Sequence, residues 1–554
     1  MKLSSIPQLA RNVNRLREIV TILSKYGLAD WISQLDLDFA KGLFKGSQGQ
    51  ELAALTRENR VRLALTELGP TFIKLGQMLS TRADMIGPAM AQELSSLQSG
   101  TPADPSDAVR KIIEVELKQP ISEMFDDFNE VPLASASIGQ VHQAKLKDGR
   151  LVVVKVQHVG IEDKIRDDLE ILVAAAELVE EHLPDMRNYR PRATTAEFQR
   201  TLRRELDFAR EERNLAHFIQ NFKVNTSVRF PAPVAEFSTS RVLTMEFLEG
   251  TQLSKTDALR DQGVDLCDIA KRGAQVFLTM IFEHGFYHAD PHPGNILVLK
   301  DQTIGLLDCG MVGRIDDRTR EQIEEMLLAI AGRDAQRLTS LIVRIGSVPP
   351  QLDQVSLDYD VQEFVGYYAD QPLNQFDLGG ALTEMTEIIR RYQILLPAGI
   401  GMLLKVLIML EGTSRQLNPA FNLTELITPY QRTLIRRRFS PKRLWRRMMR
   451  LVTEWEQLGD ILPRSLSDIL VQVQTGRFEI HLQHRSLEPS INRLVFGMLT
   501  SSLFVGSSLM MSAKVDPTIA DISVLGISGL IVSMVLGLRL IRAINKSGHL
   551  DERK

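Results

Sequence analysis

Apolar residues recur at helical spacing through the N-terminal part of the chain, and this pattern predicts amphipathic helices. In residues 1–60 it indicates helices that simply pack against the rest of the protein. Residues 61–98 are more strongly apolar, and the pattern is interrupted at Gly69-Pro70, so two consecutive helices are expected. Lys74 and Gln77 lie on the second of these, where a solvent-exposed lysine is the default interpretation.

The middle of the chain alternates between short apolar runs, typical of strands, and longer periodic segments, typical of helices. Strands are expected at residues 152–156, 242–248, 296–299 and 304–307, with a turn between the last two. Helices are expected at residues 108–117, 169–183, 197–219, 264–284 and 318–332, and throughout 335–428. A proline-containing linker is expected at residues 102–107.

Two uncharged apolar segments lie near the C-terminus, at residues 494–513 and 522–538. Each is long enough to cross about 30 Å of hydrocarbon as a helix, and the short connector predicts a hairpin. Basic residues flank the pair, so the positive-inside rule places both ends in the cytoplasm. The alternative is a buried hairpin of a soluble protein. Small residues at four-residue intervals would let the two helices approach closely. They are Ser502, Gly506, Gly529, Ser533 and Gly537.

Residues 432–450 contain nine basic side chains and no acidic one, interleaved with apolar and aromatic residues. Beside membrane spans, such a segment predicts a surface that binds anionic lipid headgroups. RNA binding is the competing interpretation, but the adjacent hairpin favours lipid. Residues 469–483 alternate apolar and polar positions around Thr475-Gly476, which indicates a β-hairpin of unassigned role.

Composition narrows the class of protein. A chain of 554 residues has room for about three domains, and 44% apolar with 24% charged residues is typical of a globular protein. A net charge of −3 provides no overall attraction to nucleic acid. Two cysteines make no disulfide framework, which indicates a reducing compartment. No secretory signal is expected, because the N-terminus lacks a continuous apolar stretch.

The strongest chemical signal is the stretch from His288 to Gly310. Asp290 is followed by Asn295 after five residues and by Asp308 after thirteen more. In phosphoryl transfer one carboxylate faces the acceptor, while an amide oxygen and a second carboxylate hold Mg²⁺ on the nucleotide phosphates. The order H-x-D-x-x-x-x-N, then D-x-G, matches the catalytic and metal-binding loops of the protein-kinase-like fold. The expected hairpin would set Asn295 beside Asp308. The alternative is a polar loop whose acidic residues are merely solvated.

A second signal is a phosphate-covering hairpin upstream of these loops. It has the shape G-x-G-x-x-G-x-V, with alanine at the first two glycine positions and Gly139 at the third. Cβ atoms at Ala134 and Ala136 should stiffen the loop, so altered nucleotide selectivity or slower turnover is expected. Taken alone, the segment also fits an ordinary turn of small residues. The candidate nucleotide-binding residues here are Leu133, Ala134, Ser135, Ala136, Ser137, Ile138, Gly139, Gln140 and Val141.

Lys155 interrupts the apolar strand at residues 152–156, and a lysine in such a strand is costly unless it is paired. In a kinase-like lobe it would bind the α- and β-phosphates and pair with a glutamate of a following helix. Glu211 is the candidate partner, and Glu212 is the alternative assignment.

The strand at residues 242–248 ends in a hinge whose backbone could bond an adenine edge. The candidate residues are Met245, Glu246 and Leu248. Two features of protein kinases are missing: no Ala-Pro-Glu motif follows Gly310, and His292 stands where a lysine usually follows the catalytic aspartate. The machinery that holds a peptide substrate is therefore missing or rebuilt.

These stretches together resemble the UbiB family of atypical kinase-like proteins. The resemblance covers roughly residues 60–315 and extends weakly to the C-terminal hairpin. It implies an α+β, bilobal protein-kinase-like fold with an N-terminal helical extension and a C-terminal transmembrane helical hairpin. It also implies ATP (or ADP) and Mg²⁺ as cofactors. The implied role is in the biosynthesis of ubiquinone or a related prenylquinone at a bacterial inner membrane, with the catalytic domain in the cytoplasm. The matching motifs are Lys74-Leu75-Gly76-Gln77, residues 133–141, Lys155, Glu205-Leu206-Asp207, Glu211, residues 288–295 and Asp308-Cys309-Gly310.

The resemblance further implies that the Lys-x-Gly-Gln helices lie over the active site, with Lys74 facing Glu205 and Asp207. These residues and Gln77 are candidate regulatory positions, and a segment placed there would block a peptide substrate. Cys309 replaces the phenylalanine of ordinary kinases, so switching through that phenylalanine is not expected.

Two functions stay open. The first is an ATP-dependent enzyme, either an ATPase or a small-molecule or lipid kinase, with Asp290 as base. The second is a nucleotide-sensing scaffold that holds biosynthetic enzymes at the bilayer with little catalysis; a conventional protein kinase ranks third. The expected partners are anionic lipids and no nucleic acid, with quinone-biosynthesis enzymes, a prenylquinone precursor or a second copy of the chain as further candidates. The expected divisions are residues 1–60, 61–130, 131–248, 249–430, 431–490 and 491–545.

Overall fold

The computed structural model describes residues 12–28, 55–97, 101–369, 371, 376–427, 448–449, 487–519 and 522–545. The chain divides into two compact units, Met1–Ser440 and Pro441–Lys554. Two predictions lie outside the described residues: the β-hairpin at 469–483, and the basic segment at 432–450 apart from Met448 and Met449.

The first unit begins with helices, as the apolar periodicity predicts. They are α1 (Val13–Lys25), α2 (Arg57–Leu68), α3 (Pro70–Leu79), α4 (Ala83–Ile86) and α5 (Pro88–Ser95). The predicted break at Gly69-Pro70 is confirmed. Gly69 adopts a φ of 95°, which favours glycine, and Pro70 is the first residue of α3, where its missing N–H costs nothing.

An antiparallel sheet and its packing helices follow. The elements are α6 (Ser106–Leu117), α7 (Ile121–Met124), β1 (Phe125–Phe128), β2 (Ala134–Ser135), β3 (Gly139–Leu146), β4 (Leu151–Gln157), α8 (Ile161–His182), α9 (Pro191–Glu205), α10 (Phe208–Asn221), β5 (Val228–Arg229) and β6 (Val242–Glu246). The sheet has the order β1-β3-β4-β6, with β2 paired to β3. The hairpin predicted at residues 133–141 is confirmed, because Ala134 lies opposite Val141 across β2 and β3.

The single helix predicted at residues 197–219 is wrong, because the chain breaks between α9 and α10. Asp207 takes an extended conformation, and the Phe208 N–H donates to the Ser240 carbonyl at 2.9 Å rather than to a helical carbonyl. The Leu206 carbonyl accepts a hydrogen bond from the Gln157 side-chain amide. These tertiary hydrogen bonds override helix propensity at the break.

The rest of the first unit is mainly helical, with short strands that carry loops. The elements are β7 (Gly250–Gln252), α11 (Thr256–Asp261), α12 (Leu266–Thr279), a π turn (Met280–His284), β8 (Phe286–His288), β9 (Ile296–Leu299), β10 (Ile304–Leu306), β11 (Val312–Arg314), α13 (Asp317–Ala331), α14 (Ala335–Ile345), α15 (Gln354–Ala369), α16 (Leu378–Arg391) and α17 (Ala398–Leu417). The strands form one sheet in the order β5-β10-β9-β7 and a pair, β8 and β11. The predicted hairpin is confirmed, with Ile304 of β10 opposite Val298 of β9.

A buried apolar cluster joins the N-terminal helices to α8. Leu68 and Phe72 contribute from one side, and Ile171 and Leu178 from the other. An ion pair at its edge joins the Arg15 guanidinium to the fully buried Asp168 carboxylate at 2.7 Å. This packing fixes α3, which carries Lys74, against the first unit.

The second unit contains α18 (Leu487–Ser512), β12 (Thr518–Ile519), β13 (Ile522–Ser523) and α19 (Val524–Asn545). Two helical stretches, Leu494–Ser512 and Val524–Arg542, are long and apolar enough to cross a membrane, with mean hydropathies of 1.7 and 2.2. The helices pack closely, because a Cβ added at Gly529 would overlap the Ser507 Oγ. Ser507 is buried at this contact, whereas Ser502, which the spacing had indicated, is exposed.

Candidate active site

The Lys155 ammonium lies between two carboxylates. Its Nζ is 2.8 Å from the Glu211 Oε2 on α10 and 3.5 Å from the Asp308 Oδ1, two residues beyond β10. The pairing expected from the sequence is therefore present, with Glu211 rather than Glu212 as the partner. The same Nζ lies 5.2 Å from the centroid of the Phe208 ring, a cation–π contact that the sequence did not indicate.

The close approach of Lys155, Glu211 and Asp308 shifts the pKa values of all three side chains. The Lys155 charge lowers the pKa of Asp308 well below its usual range, and Lys74 adds to that effect. Desolvation alone would lower the pKa of Lys155, but the Asp308 and Glu211 carboxylates outweigh it and the net shift is upward. Burial raises the pKa of Glu211, and Lys155 opposes that shift. At neutral pH Asp308 is ionised and Lys155 is protonated.

The loop between β8 and β9 holds Asp290 and Asn295 against each other. The Asn295 Nδ2 donates to the Asp290 Oδ2 at 2.9 Å. The fully buried His288 accepts from the Asp290 N–H at 3.2 Å, and its Nε2 donates to the Leu307 carbonyl at 3.0 Å. The Leu307 N–H donates in turn to the Asn295 carbonyl at 2.9 Å. The catalytic loop is thereby tied to the residue that precedes Asp308.

Asn295 and Asp308 provide the oxygen ligands that Mg²⁺ prefers. Because the amide nitrogen of Asn295 donates to Asp290, its amide oxygen is left for a cation. The Asp308 side chain is 53% exposed, so it is open to a ligand. In the described part of the chain no group of three or more His, Cys, Asp or Glu side chains could hold a metal ion. Two protein ligands completed by phosphate oxygens and water fit this donor set.

Hydrogen bonds within the chain fix the alanine-containing loop at residues 133–141. The Ala136 N–H donates to the Gly139 carbonyl at 2.9 Å, and the His158 Nε2 lies 2.9 Å from the Ala136 carbonyl. The His158 Nδ1 lies 2.8 Å from the Asp104 Oδ2, so the predicted linker contributes to this anchor. The Ser135 Oγ is buried and has no hydrogen-bond partner among the described residues. Ser135 is thus a polar group of the loop that a ligand could satisfy.

Gly139 has a packing requirement of its own. A Cβ at this position would overlap the Val156 carbonyl, so glycine lets β3 lie close to β4. Its neighbours Ser137 and Gln140 are buried, and the Gln140 side chain bonds the His142 ring at 2.8 Å. Ser137, Gly139 and Gln140 therefore contribute to the packing of the sheet.

The hinge after β6 contains one backbone N–H, that of Leu248, which is available to an adenine base. The Glu246 N–H donates to the Ala232 carbonyl at 2.9 Å, and the Phe247 N–H to the Leu151 carbonyl at 3.1 Å. Within the described ranges no partner is found for the Leu248 N–H. The Met245 side chain is buried, and the Glu246 carboxylate pairs with Arg229.

The N-terminal segment reaches the cluster through Lys74. Its Nζ lies 2.9 Å from the Glu205 Oε2. The other acidic residue, Asp207, pairs elsewhere: its Oδ2 lies 3.4 Å from the Arg210 Nε and 3.6 Å from the Arg213 Nη2. Lys74 therefore faces one of the two acidic residues that the family resemblance implies. Desolvation would lower the pKa of Lys74, but Glu205 and Asp308 raise it overall.

Gln77 lies one helical turn beyond Lys74 on α3. Its Nε2 donates to the Leu97 carbonyl at 3.1 Å, so it joins α3 to the chain beyond α5. Between them, Gly76 packs against Leu97 and Leu65, where a Cβ would overlap a Leu97 methyl group.

Lys405 on α17 is a residue that the sequence patterns did not single out. It is partly buried, and its Nζ donates to the Ser80 Oγ at 3.0 Å. Desolvation lowers the pKa of Lys405, although the nearby Asp290 carboxylate opposes the shift. The signal that could have identified it is a single lysine within the apolar run 402–410.

Comparisons with known proteins identify the family. A model of the ABC1 atypical kinase-like domain matches residues 96–342, a UbiB helical domain matches 361–422, and an ABC1/UbiB kinase-like C-terminal domain matches 479–546. A probable protein kinase UbiB from Aeromonas hydrophila is 34% identical over 84% of this chain and 86% of its own length. The chain belongs to the UbiB family.

Other relatives support the same assignment. A probable protein kinase UbiB from Aeromonas salmonicida is 32% identical over 90% of this chain and 94% of its own length. A Clostridium pasteurianum protein, named only as an uncharacterized protein in the hydrogenase 1 5′ region, is 31% identical over 97% of this chain and its whole length. Family membership confirms the kinase-like fold and accounts for the two apolar C-terminal helices as a matched C-terminal domain.

Proposed function

We propose that this UbiB-family protein is an ATP- and Mg²⁺-dependent phosphotransferase or ATPase. It acts at the membrane in the biosynthesis of ubiquinone or a related prenylquinone. The observation that carries the proposal is the ion-paired cluster of Lys155, Glu211 and Asp308 beside the hydrogen-bonded pair of Asp290 and Asn295. These are the groups that phosphoryl transfer requires.

Each residue has a role in this proposal. Lys155 binds the α- and β-phosphates, and Glu211 holds its ammonium in place. Asn295 and Asp308 would hold Mg²⁺, which would neutralise phosphate charge. Asp290 faces the acceptor hydroxyl or water and accepts its proton, with its carboxylate oriented by the Asn295 amide. On the other side of the nucleotide, the Leu248 N–H would meet the base, and the part of residues 133–141 that is not buried in the sheet would cover the phosphates.

The membrane is the second part of the proposal. The two apolar helices anchor the chain in a bacterial inner membrane, with the kinase-like unit in the cytoplasm. The basic segment at residues 432–450 binds anionic headgroups. Quinone-biosynthesis enzymes or a prenylquinone precursor would then meet the protein at the bilayer.

A nucleotide-sensing scaffold is the second candidate. It is favoured by the Lys74–Glu205 ion pair and by the hydrogen bonds that fix the loop at Ala136. Both hold the site in one arrangement, which suits a protein that binds ATP or ADP and turns over slowly.

A measurement of ATP hydrolysis by the full-length protein distinguishes the enzyme from the scaffold. It would be measured with Mg²⁺, with and without anionic liposomes, for wild type, Asp290→Asn and the control Asp301→Asn, in which an exposed acid of the β9–β10 turn is changed. We expect turnover that rises with liposomes and falls at least about 100-fold in Asp290→Asn alone, with nucleotide affinity retained. Nucleotide binding without turnover that depends on Asp290 would leave the scaffold. Absence of nucleotide binding by the wild type would overturn both.

A further inference from the structure

A cavity of about 440 Å³ lies beside the catalytic loop. Its volume falls within the range of small-molecule binding sites. His292 and Pro293 of the catalytic loop form one wall, and Ser80 and Thr81, just beyond α3, form another. Helices α16 and α17 complete it. The cavity is therefore lined by three parts of the first unit that are distant in sequence.

Most of the cavity surface is apolar, although about half of the lining residues have polar side chains. Apolar side chains from α4, α5 and α17 cover most of it: Ala83, Pro88, Ala91, Leu404, Ile408 and Met409. Hydroxyl groups of Thr383 and Thr386 line the side formed by α16, but the Thr386 Oγ1 already donates to the Leu382 carbonyl at 2.7 Å. A ligand with a mainly apolar body and a polar end matches this surface.

Charge in the cavity is unbalanced. The acidic residue in its wall, Asp84, accepts hydrogen bonds from the Arg82 guanidinium at 2.9 and 3.1 Å and from the Leu396 N–H at 3.0 Å. Its charge is thus already satisfied. Lys405 has no carboxylate within 4.0 Å among the described residues, and its nearest polar partner is the neutral Ser80 hydroxyl. The Asp290 carboxylate acts on Lys405 from beyond 4.0 Å and only partly offsets the desolvation of the ammonium. A desolvated ammonium with no carboxylate in contact attracts an anionic group.

We propose that this cavity binds an apolar small molecule that carries one carboxylate or other anionic oxygen, with that oxygen placed at Lys405. Charge complementarity selects the anion, and the walls formed by Leu404, Ile408 and Met409 select the apolar body. No residue assigned above to the nucleotide, to Mg²⁺ or to base catalysis lines the cavity. The site is therefore separate from the nucleotide site, and binding to it does not depend on ATP hydrolysis.

The position of the cavity couples its ligand to the catalytic loop. His292 lies two residues beyond Asp290, and Ser80 lies one residue beyond the helix that carries Lys74. A ligand in the cavity contacts both the loop and the N-terminal segment, so its occupancy is expected to alter their arrangement.

Calorimetric titration of the full-length protein in one detergent tests the proposal without nucleotide. The probes are para-butylbenzoate, the neutral para-butylbenzamide and the cationic para-butylbenzylamine, which share one apolar body. We expect the benzoate to bind at least about tenfold more tightly than either of the others, as a charge-assisted hydrogen bond predicts. Equal binding of the benzoate and the amine, or no detectable binding of the benzoate at millimolar concentration, would overturn the proposal.

Variants identify the place of binding. Lys405→Met should weaken the benzoate at least about tenfold and leave the benzamide within about threefold. The control Lys300→Met, which changes a side chain that is 79% exposed, should leave all three affinities unchanged. Gly412→Leu adds a side chain to the cavity wall where a Cβ meets no atom within 4 Å, and it should weaken the benzoate by filling space. Benzoate affinity that is unchanged in both Lys405→Met and Gly412→Leu would place the ligand elsewhere and refute the assignment. Because nucleotide is absent, these outcomes are independent of whether the protein hydrolyses ATP.

Discussion

The Lys74 ammonium and the Glu205 carboxylate lie 2.9 Å apart and join the N-terminal segment to the helix pair that carries Glu211. Their side chains are 18% and 13% exposed, so the ion pair is largely shielded from water. Glu205 is the last residue of α9, and α10 begins three residues later. Movement of Lys74 is therefore coupled to the helix whose Glu211 holds Lys155.

We predict that Lys74→Met lowers the free energy of unfolding by about 2 kcal/mol. Loss of one partner of a buried pair costs about 3 to 5 kcal/mol, and partial exposure reduces that figure. Chemical denaturation of the full chain in detergent would measure it. The double variant Lys74→Met, Glu205→Gln should lose less than the sum of the single variants, because the uncompensated carboxylate is gone. Strictly additive losses would show that the ion pair contributes no interaction energy to the free energy of unfolding.

Asp308 should stabilise the fold only while it is ionised. Lys155 lowers its pKa in the folded state below the ordinary value of about 3.9. Its contribution is therefore complete above about pH 4 and is lost as the pH falls toward the folded-state pKa. The difference in unfolding free energy between wild type and Asp308→Asn should be constant near neutral pH and shrink below about pH 4. A difference that grows on acidification would contradict this assignment of charge.

Much of the site could be predicted because its residues follow local patterns. The hairpin of residues 296–307 lies between Asn295 and Asp308, and two short, continuous apolar runs separated by a polar turn predict such a hairpin. Lys155 was identifiable because a single lysine interrupts a buried strand. The partner Glu211 was harder to assign, since two adjacent glutamates differ only in the helix face on which they lie.

The remaining features depend on contacts between distant residues. The break between α9 and α10 depends on hydrogen bonds to Gln157 and Ser240, which no local pattern at Leu206 reveals. The turn of Asp207 toward Arg210 follows from that break. Lys405 escaped notice because its surroundings come from Ser80 and the catalytic loop, which are remote in sequence.

The packing of α18 against α19 should depend on Gly529. A Cβ there would overlap the Ser507 Oγ, whereas at Gly537 the nearest atom is 3.9 Å away on Thr500. Gly529→Val should therefore separate the helices, and the matched control Gly537→Val should be tolerated. Amide hydrogen exchange of residues 494–512 in detergent micelles would be measured for both. Faster exchange in Gly529→Val alone is expected; equal exchange in the two variants would show that this contact does not hold the helices together.

The Lys405 ammonium should lower the free energy of unfolding. Desolvation lowers its pKa in the folded state below the ordinary value of about 10.4, so the unfolded chain holds the proton more tightly. The ammonium therefore destabilises the fold at pH values below the folded-state pKa, and the penalty disappears as the pH rises through the interval between the two pKa values.

Lys405→Met should accordingly raise the free energy of unfolding at neutral pH, and the gain should shrink as the pH approaches about 10.4. The part of the gain due to the apolar methionine does not change with pH, so the pH dependence isolates the charge. Lys300→Met, which removes a lysine paired with Glu249 at the surface, should show little change at any pH. A stability gain that did not vary with pH would mean that the ammonium carries no penalty. A penalty that is measured and retained in this chain would be consistent with a lysine kept for binding, as the cavity beside it suggests.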